Sequence, residues 1–140
     1  MNGRSELVDT LGRLTLFADF TRPELEAVAH TVDEEMFAEG QRVLRQGLSG
    51  NGFFVILEGL AAIHIDGEAR WTLKPGDFFG EISVLTGEPP TADVVATSLL
   101  RCAVVAGPDF EQFLMERPRF LFRLLQAEAH RLRNALEWRQ

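Results

Sequence analysis

The chain has 140 residues, 46% hydrophobic and 25% charged, which suits one ordinary globular domain with a core that needs no staples. A net charge of −7 sets it apart from general nucleic-acid binders, whose domains are basic. The single cysteine, Cys102, excludes an internal disulfide framework and a Cys-based zinc cage; no apolar run nears the ~18 residues that span a bilayer, and Met1–Glu6 lead into no secretory h-region, so a cytoplasmic location is expected.

The first third reads as helical. Leu7, Val8, Leu11, Leu14, Leu16 and Phe17 form a short apolar-faced segment. Thr21-Arg22-Pro23-Glu24 then reads as a helix start. Thr21 is placed to cap free N–H groups and Glu24 to reach back to it, while Pro23 falls in the first turn, where its missing N–H costs nothing. Leu25, Val28, Ala29 and Val32 follow at helical spacing.

After Asp33 the period changes. Short apolar runs alternate with glycines: Met36-Phe37, Val43-Leu44, Phe53–Leu57, Leu60–Ile65, Trp71–Leu73, Asp93–Val95 and Leu99–Val105. Many short strands at this spacing predict an antiparallel sandwich or small barrel. Ile63-His64-Ile65-Asp66-Gly67 reads as one arm of a hairpin and its turn. The strand after Trp71 is expected to end at Gly76-Asp77, and residues 81–86 to form one helical turn behind Gly80. Free N–H groups at such a turn favour an anion.

At Gly107-Pro108-Asp109 the helical pattern returns, with Phe110, Phe113 and Leu114 on one face. Arg117-Pro118 interrupts it, and a last helix is expected from about Pro118 to about Trp138. Phe122, Leu125, Ala129, Leu132 and Leu136 are spaced 3, 4, 3, 4, a heptad seam that predicts a homodimer through this helix. Six arginines (117, 119, 123, 131, 133 and 139) stand in this tail against Glu128 and Glu137; they read as a solvated helix face rather than a nucleic-acid site.

The densest information lies in Phe78-Phe79-Gly80-Glu81-Ile82-Ser83 and in Glu88-Pro89-Pro90-Thr91-Ala92-Asp93-Val94. With Gly40, Gly47 and Gly59 at matching intervals, with Phe53–Ile56 before the last of them, and with Gly76-Asp77 leading into Phe78, the chain resembles the cyclic nucleotide-binding domains. These are the regulatory modules of catabolite activators, cyclic-AMP-dependent kinase regulatory subunits and certain ion channels. The resemblance runs from about Leu16 to about Glu137. It implies an α+β, mainly β fold: an eight-stranded antiparallel jelly-roll β-roll with an N-terminal helical element and C-terminal helices, the last one long. The whole is one domain over 1–140, helical over 5–32, β-roll over 34–106, and helical again over 108–138.

The resemblance also implies roles. Glu81, after Phe79-Gly80, stands where the family's glutamate holds the ribose hydroxyl of cAMP or cGMP. Gly80, Ile82, Ser83, Thr91 and Ala92 stand where backbone N–H groups touch the cyclic phosphate. Pro90 occupies the position of the arginine that neutralises that phosphate. A proline brings neither charge nor N–H, and losing one partner of a desolvated ion pair costs ~2–5 kcal/mol, roughly 30- to 4000-fold in affinity. Asp93 adds a carboxylate where a small neutral residue is usual, so with Glu81 and Glu88 the cassette reads as acidic. The expectation is therefore a regulatory sensor module, not an enzyme, that couples its cassette to its C-terminal helices and binds cAMP and cGMP weakly or not at all.

In the activator branch the long helix also reaches over the ligand. Arg131 matches its arginine, while Ala135 and Leu136 fall where two hydroxyl side chains would be; a solvated helix arginine is the alternative. A ligand-free domain used for dimerisation or docking is the rival reading. A fragment or relative of an activator is another, and without a helix-turn-helix after Gln140 no nucleic-acid binding is expected of this chain alone. A cupin-like enzyme lacks its metal ligands, because His30, His64 and His130 have no ligand spacing. Ser83 has no histidine beside it in the motif to serve as a nucleophile's base. Cys102 reads as a buried structural thiol, and Trp71 and Trp138 as packing or interface residues. No cofactor, metal or membrane contact is expected.

Overall fold

The computed structural model describes residues 3–48 and 52–138. Two helices open the chain, α1 (Gly3–Gly12) and α2 (Arg22–Thr31), joined through a 3-10 turn at Thr15–Phe17. Eight strands follow: β1 (Asp33–Phe37), β2 (Arg42–Leu44), β3 (Gly52–Glu58), β4 (Ala61–Ile65), β5 (Glu68–Leu73), β6 (Phe78–Phe79), β7 (Asp93–Ala96) and β8 (Leu100–Ala106). A short helix, α3 (Glu81–Thr86), separates β6 from β7. The chain ends in α4 (Gly107–Met115) and α5 (Pro118–Trp138). The two helical regions start at Gly3 and Gly107 and the roll at Asp33, one or two residues earlier than the sequence pattern suggests.

The strands form two antiparallel four-stranded sheets, ordered β1-β8-β3-β6 and β2-β7-β4-β5. Because successive strand side chains point to opposite faces, the first sheet serves two cores. Phe53, Val55 and Leu57 of β3, with Ala103 and Val105 of β8 and Phe78 of β6, face the helices. Ile56, Cys102, Val104 and Phe79 face the second sheet, where Ala61, Leu73, Val94 and Ala96 meet them. The layers are thus helices, sheet, sheet, which is why β3 and β8 read as nearly continuous apolar runs.

The helical core centres on phenylalanines. Phe53 stacks on Phe110 at 4.8 Å between ring centroids, and Phe120 meets Phe17, Phe53 and Phe113 at 5.1, 5.9 and 5.1 Å. Buried aromatic pairs of this kind contribute beyond their area. Thr21 caps α2 as read: its hydroxyl accepts from the Glu24 N–H, and the Glu24 carboxylate accepts from the Thr21 N–H at 2.8 Å. The β4–β5 hairpin turns at Asp66 and Gly67, both at positive φ, as a tight two-residue turn requires.

One expectation needs correction. The strand after Trp71 does not run to Gly76-Asp77; β5 stops at Leu73, and Phe78–Phe79 form a separate strand against β3. Pro75 has no N–H to continue a ladder. The Lys74 N–H donates instead to the Asp77 carboxylate at 2.9 Å, and the Asp77 N–H to the Lys74 carbonyl at 2.9 Å, closing a turn.

The tail arginines are not a merely solvated face either. Arg123 pairs with Asp19 through two hydrogen bonds, at 2.8 and 3.1 Å. Arg119 donates to the Asp19 carbonyl at 3.3 Å. The Arg123 guanidinium holds the Asp19 carboxyl below its ordinary range. These contacts fasten the first half of α5 to the segment between α1 and α2. Among the described residues no helix is long and apolar enough to cross a membrane.

Candidate functional site

The cassette begins where β6 ends. Phe78 and Phe79 anchor the entry, one in each core. Gly80 follows at φ +93°, and a Cβ built there would lie 2.1 Å from the Gly52 carbonyl oxygen. Only glycine lets these two backbones approach in that conformation. Gly80 thereby turns the chain into α3 and sets Glu81 at its first position, pointing inward. Gly87, also at positive φ, closes the helix by donating its N–H to the Ser83 carbonyl at 2.9 Å.

Glu81 is 1% exposed and is the large acidic side chain of the core. Arg131 of α5 meets it: one guanidinium nitrogen lies 3.2 Å from Glu81 Oε2 and 3.3 Å from Glu128 Oε1. Its other terminal nitrogen donates to the Phe78 carbonyl at 2.9 Å, and the guanidinium lies 3.9 Å from the centre of the Phe78 ring. Burial of Glu81 first, then the charge of Glu128 and a hydrogen bond between the two carboxyl groups, push the Glu81 carboxyl up to about 8, against the pull of Arg131. At neutral pH Glu81 therefore keeps its proton beside that guanidinium. A protonated Glu81 donates as well as accepts, which an ionised one does not.

The rest of the cassette is held separately. Ser83 is buried, and its hydroxyl donates to the Glu88 carbonyl at 2.6 Å, a structural bond inside the loop. Ile82 is exposed on the outer side of α3. Pro90 is buried, and its carbonyl accepts from the Gly47 N–H at 2.9 Å. Thr91 is exposed and Ala92 half-buried. Asp93 accepts from the Gln46 N–H at 2.6 Å and lies 3.7 Å from the Arg42 guanidinium. Of the three carboxylates read as one acidic cluster, Asp93 is thus bound to the β2 side, Glu81 to α5, and Glu88 is exposed.

The structure therefore brings Glu81 and the Phe78 carbonyl to Arg131, fifty residues beyond Glu81 in the chain, with Gly80 as the turn at Glu81, Phe79 in the other core and Ser83 bonded within the loop. It places Pro90, Thr91 and Ala92 on a second limb pinned by Gly47. Sequence reasoning missed Glu128, Gly52 and Gln46, and placed Phe78 in the motif without a role. Glu128 was findable, since it lies three residues before Arg131 on the same helix face. Gly52 and Gln46 act through backbone atoms and left no side-chain signal.

Beside the cassette, a groove of about 460 Å³ runs between the β5–β6 turn and α5; Lys74, Asp77, Phe78, Arg123, His130 and Arg131 are among its walls. Cys102 is buried between the sheets, its thiol pushed up to about 12 by burial, so it carries no thiolate at neutral pH. Among the described residues no three histidine, cysteine or acidic side chains gather as a metal would need.

Comparison with known proteins bears on the same residues. The chain is 33% identical over 102 residues to the cGMP-dependent protein kinase egl-4 of Caenorhabditis briggsae; the match covers 69% of this chain but 14% of the kinase. The catabolite activator protein of Thermus thermophilus superposes with a TM-score of 0.78 at 25% identity, over 89% of this chain and 61% of that one. The regulatory subunit of a cAMP-independent protein kinase A from Trypanosoma brucei superposes with a TM-score of 0.73 at 26% identity, over 88% and 47%. A family model described as the cyclic nucleotide-binding domain matches residues 34–117, from β1 through the cassette to the end of α4. That span takes in the Gly80 turn, the buried glutamate behind it and the whole roll that holds them, and the chain belongs to the cyclic nucleotide-binding domain family.

Proposed function

We propose that this domain is a regulatory sensor in which the cassette from Gly80 to Ala92 sets the position of α5, and that α5 passes the change to a second copy of the chain. The observation that carries this reading is Arg131. One side chain of the C-terminal helix holds the carboxyl of Glu81 and the carbonyl of Phe78, so a ligand that competes for Glu81 competes with the docking of α5. The helix moves only as far as the ligand prefers one arrangement over the other. The outward seam of α5 supports the second half: Phe122, Leu125, Leu132 and Leu136 are all more than half exposed. The proposal includes no catalytic step, no resident cofactor, no nucleic-acid contact by this chain alone, and a cytoplasmic setting.

The ligand class is the family's, a cyclic nucleotide or a small molecule of similar shape, but cAMP and cGMP themselves are held weakly or not at all. Pro90 brings no cation to a buried phosphodiester, and arginine normally supplies a charge-assisted bidentate contact. Titration calorimetry with cAMP and cGMP tests this on the wild type beside Pro90→Arg. The expected result is micromolar binding by the variant and millimolar or no binding by the wild type. Micromolar binding by the wild type would overturn the reading of Pro90.

A ligand-free docking module is the second reading. The internal satisfaction of Asp93 by Gln46 and Arg42 favours it, since that limb needs no ligand to be complete. Silence from both proteins in the same titration would decide for it.

A further inference from the structure

The groove beside α5, of about 460 Å³, is walled by three parts of the chain: the 3-10 turn at Thr15–Phe17, the β5–β6 turn and α5 itself. It is separate from the cassette, since none of the residues from 79 to 92 lines it. Phe78 and Arg131 form the partition, because Arg131 turns its guanidinium onto Glu81 and the Phe78 carbonyl. A volume of this size suits a small organic molecule.

The chain as a whole carries a net charge of −7, yet this groove is cationic. Lys74, Arg123 and Arg131 line it together with His130, against the one carboxylate of Asp77. Gathering like charges in a cleft costs repulsion, which an anion relieves. Asp77 is only a loose partner for Lys74. One of its oxygens accepts from the Lys74 backbone N–H at 2.9 Å, while the other stays 3.6 Å from Nζ, beyond a hydrogen bond.

The donors are also uncommitted. Arg123 uses Nε and Nη2 on Asp19. Among the described residues its Nη1, the Lys74 amine, the Gln126 amide and the His130 ring have no hydrogen-bond partner. Arg123, Gln126, Ala127 and His130 are spaced 3, 1 and 3, which sets them on one face of α5. Donors therefore reach the groove from the roll through Lys74 and from the helix through this face. Its apolar part lies deeper, where Leu16 and Phe78 are buried.

We propose that this groove binds a small organic phosphate monoester, with its phosphate held between Lys74 and the donors of α5 and its carbon body against Leu16 and Phe78. A phosphomonoester offers three acceptor oxygens and nearly two negative charges, enough for donors on both walls. A carboxylate offers two oxygens and one charge. Lysine serves phosphate as a compact point charge, and arginine as a planar fork. Lys74 is the only lysine in the chain. The site does not depend on what the cassette holds, and it stands whether or not Pro90 excludes cAMP and cGMP. A molecule bound there ties α5 to the β5–β6 turn and stabilises the folded domain by mass action.

NMR on the full chain tests this, with phenyl phosphate, inorganic phosphate and benzoate as probes. Carbon-13 labelling of lysine gives a single side-chain signal, that of Lys74, and amide spectra report the rest of the chain. Phenyl phosphate should shift the Lys74 signal saturably, with a Kd of about 1 mM or lower for a molecule of its size. Inorganic phosphate and benzoate should each bind about ten-fold more weakly, lacking the body or the second charge. Lys74→Gln should weaken phenyl phosphate about ten-fold and His130→Ala about three-fold. Both residues are exposed, so neither variant threatens the fold.

A Lys74 signal that does not saturate with phenyl phosphate overturns the site. Amide shifts that centre on residues 80–92 and survive Lys74→Gln put the probe in the cassette and overturn it equally. Benzoate binding as tightly as phenyl phosphate overturns the choice of phosphate, and inorganic phosphate binding as tightly overturns the organic body.

Discussion

Replacing Glu81 with glutamine isolates the cost of the buried carboxyl. Glutamine keeps nearly the same shape and one acceptor, and it brings its own donor for Glu128, so it stands in for the protonated acid. In the unfolded chain Glu81 loses its proton near its ordinary value of 4.5; in the folded domain burial and Glu128 hold that proton up to about 8. Between those two values the folded state binds more protons than the unfolded one, so stability falls as pH rises and levels off above about 8. Each unit of separation is worth ~1.4 kcal/mol, which puts the total loss on the order of 3–5 kcal/mol, a large part of a domain's usual margin. Urea unfolding of the wild type and Glu81→Gln at pH 5, 6, 7 and 8 measures it. The wild-type curve should decline across the series and converge towards the variant at pH 5, while the Glu81→Gln curve changes far less. Parallel curves for the two proteins would refute the argument, because the declining contribution would then belong to other groups.

Gly80→Ala should cost at least about 2–3 kcal/mol and lower the melting temperature by about 10 °C, since the added methyl must escape a backbone oxygen 2.1 Å away while holding a positive φ; a melting point within 2 °C of wild type would show that the turn relaxes freely. Thr21→Ala removes the hydroxyl half of the α2 capping box and should cost ~1 kcal/mol in urea unfolding, with no change at all marking the cap as redundant.

Much of the fold was legible because its signals are local. The Thr21–Glu24 box, the Asp66-Gly67 turn, the Gly80 turn and the apolar runs of β3 and β8 each declare themselves within a few residues. The β-roll boundaries followed from the change of period after Asp33 and its return at Gly107. The end of β5 was misplaced because a glycine-aspartate pair looks like a strand terminus, whereas Pro75 had already removed the donor that the ladder needs.

The site was legible only in half. Glycine spacing and the Phe79-Gly80-Glu81 run marked the cassette, and comparison of the last helix singled out Arg131. What these residues do to one another was not readable. Glu81 looked like an ionised ligand group until its burial and its neighbour Glu128 were visible. Asp93 looked like added acidity until the Gln46 N–H and Arg42 were seen to satisfy it. Those contacts span 47 and 51 residues, distances over which no pattern of residue types carries information.

The fastening of α5 to the N-terminal segment gives the helix the mechanics of a lever. On the proposed function, Phe120 against Phe17, with Arg123 on Asp19, would make the fulcrum; the cassette would act on the beam at Arg131, eleven residues along, with Glu137 some six residues farther. At ~1.5 Å per residue the two arms measured from Phe120 are about 17 and 26 Å. A displacement of ~2 Å at the cassette would thus become ~3 Å at Glu137, enough to take a heptad seam out of step with a facing helix. The segment between the N-terminal helices would then belong to the transmission, since Phe17 and Asp19 share the holding of α5 with Phe53 and Phe113.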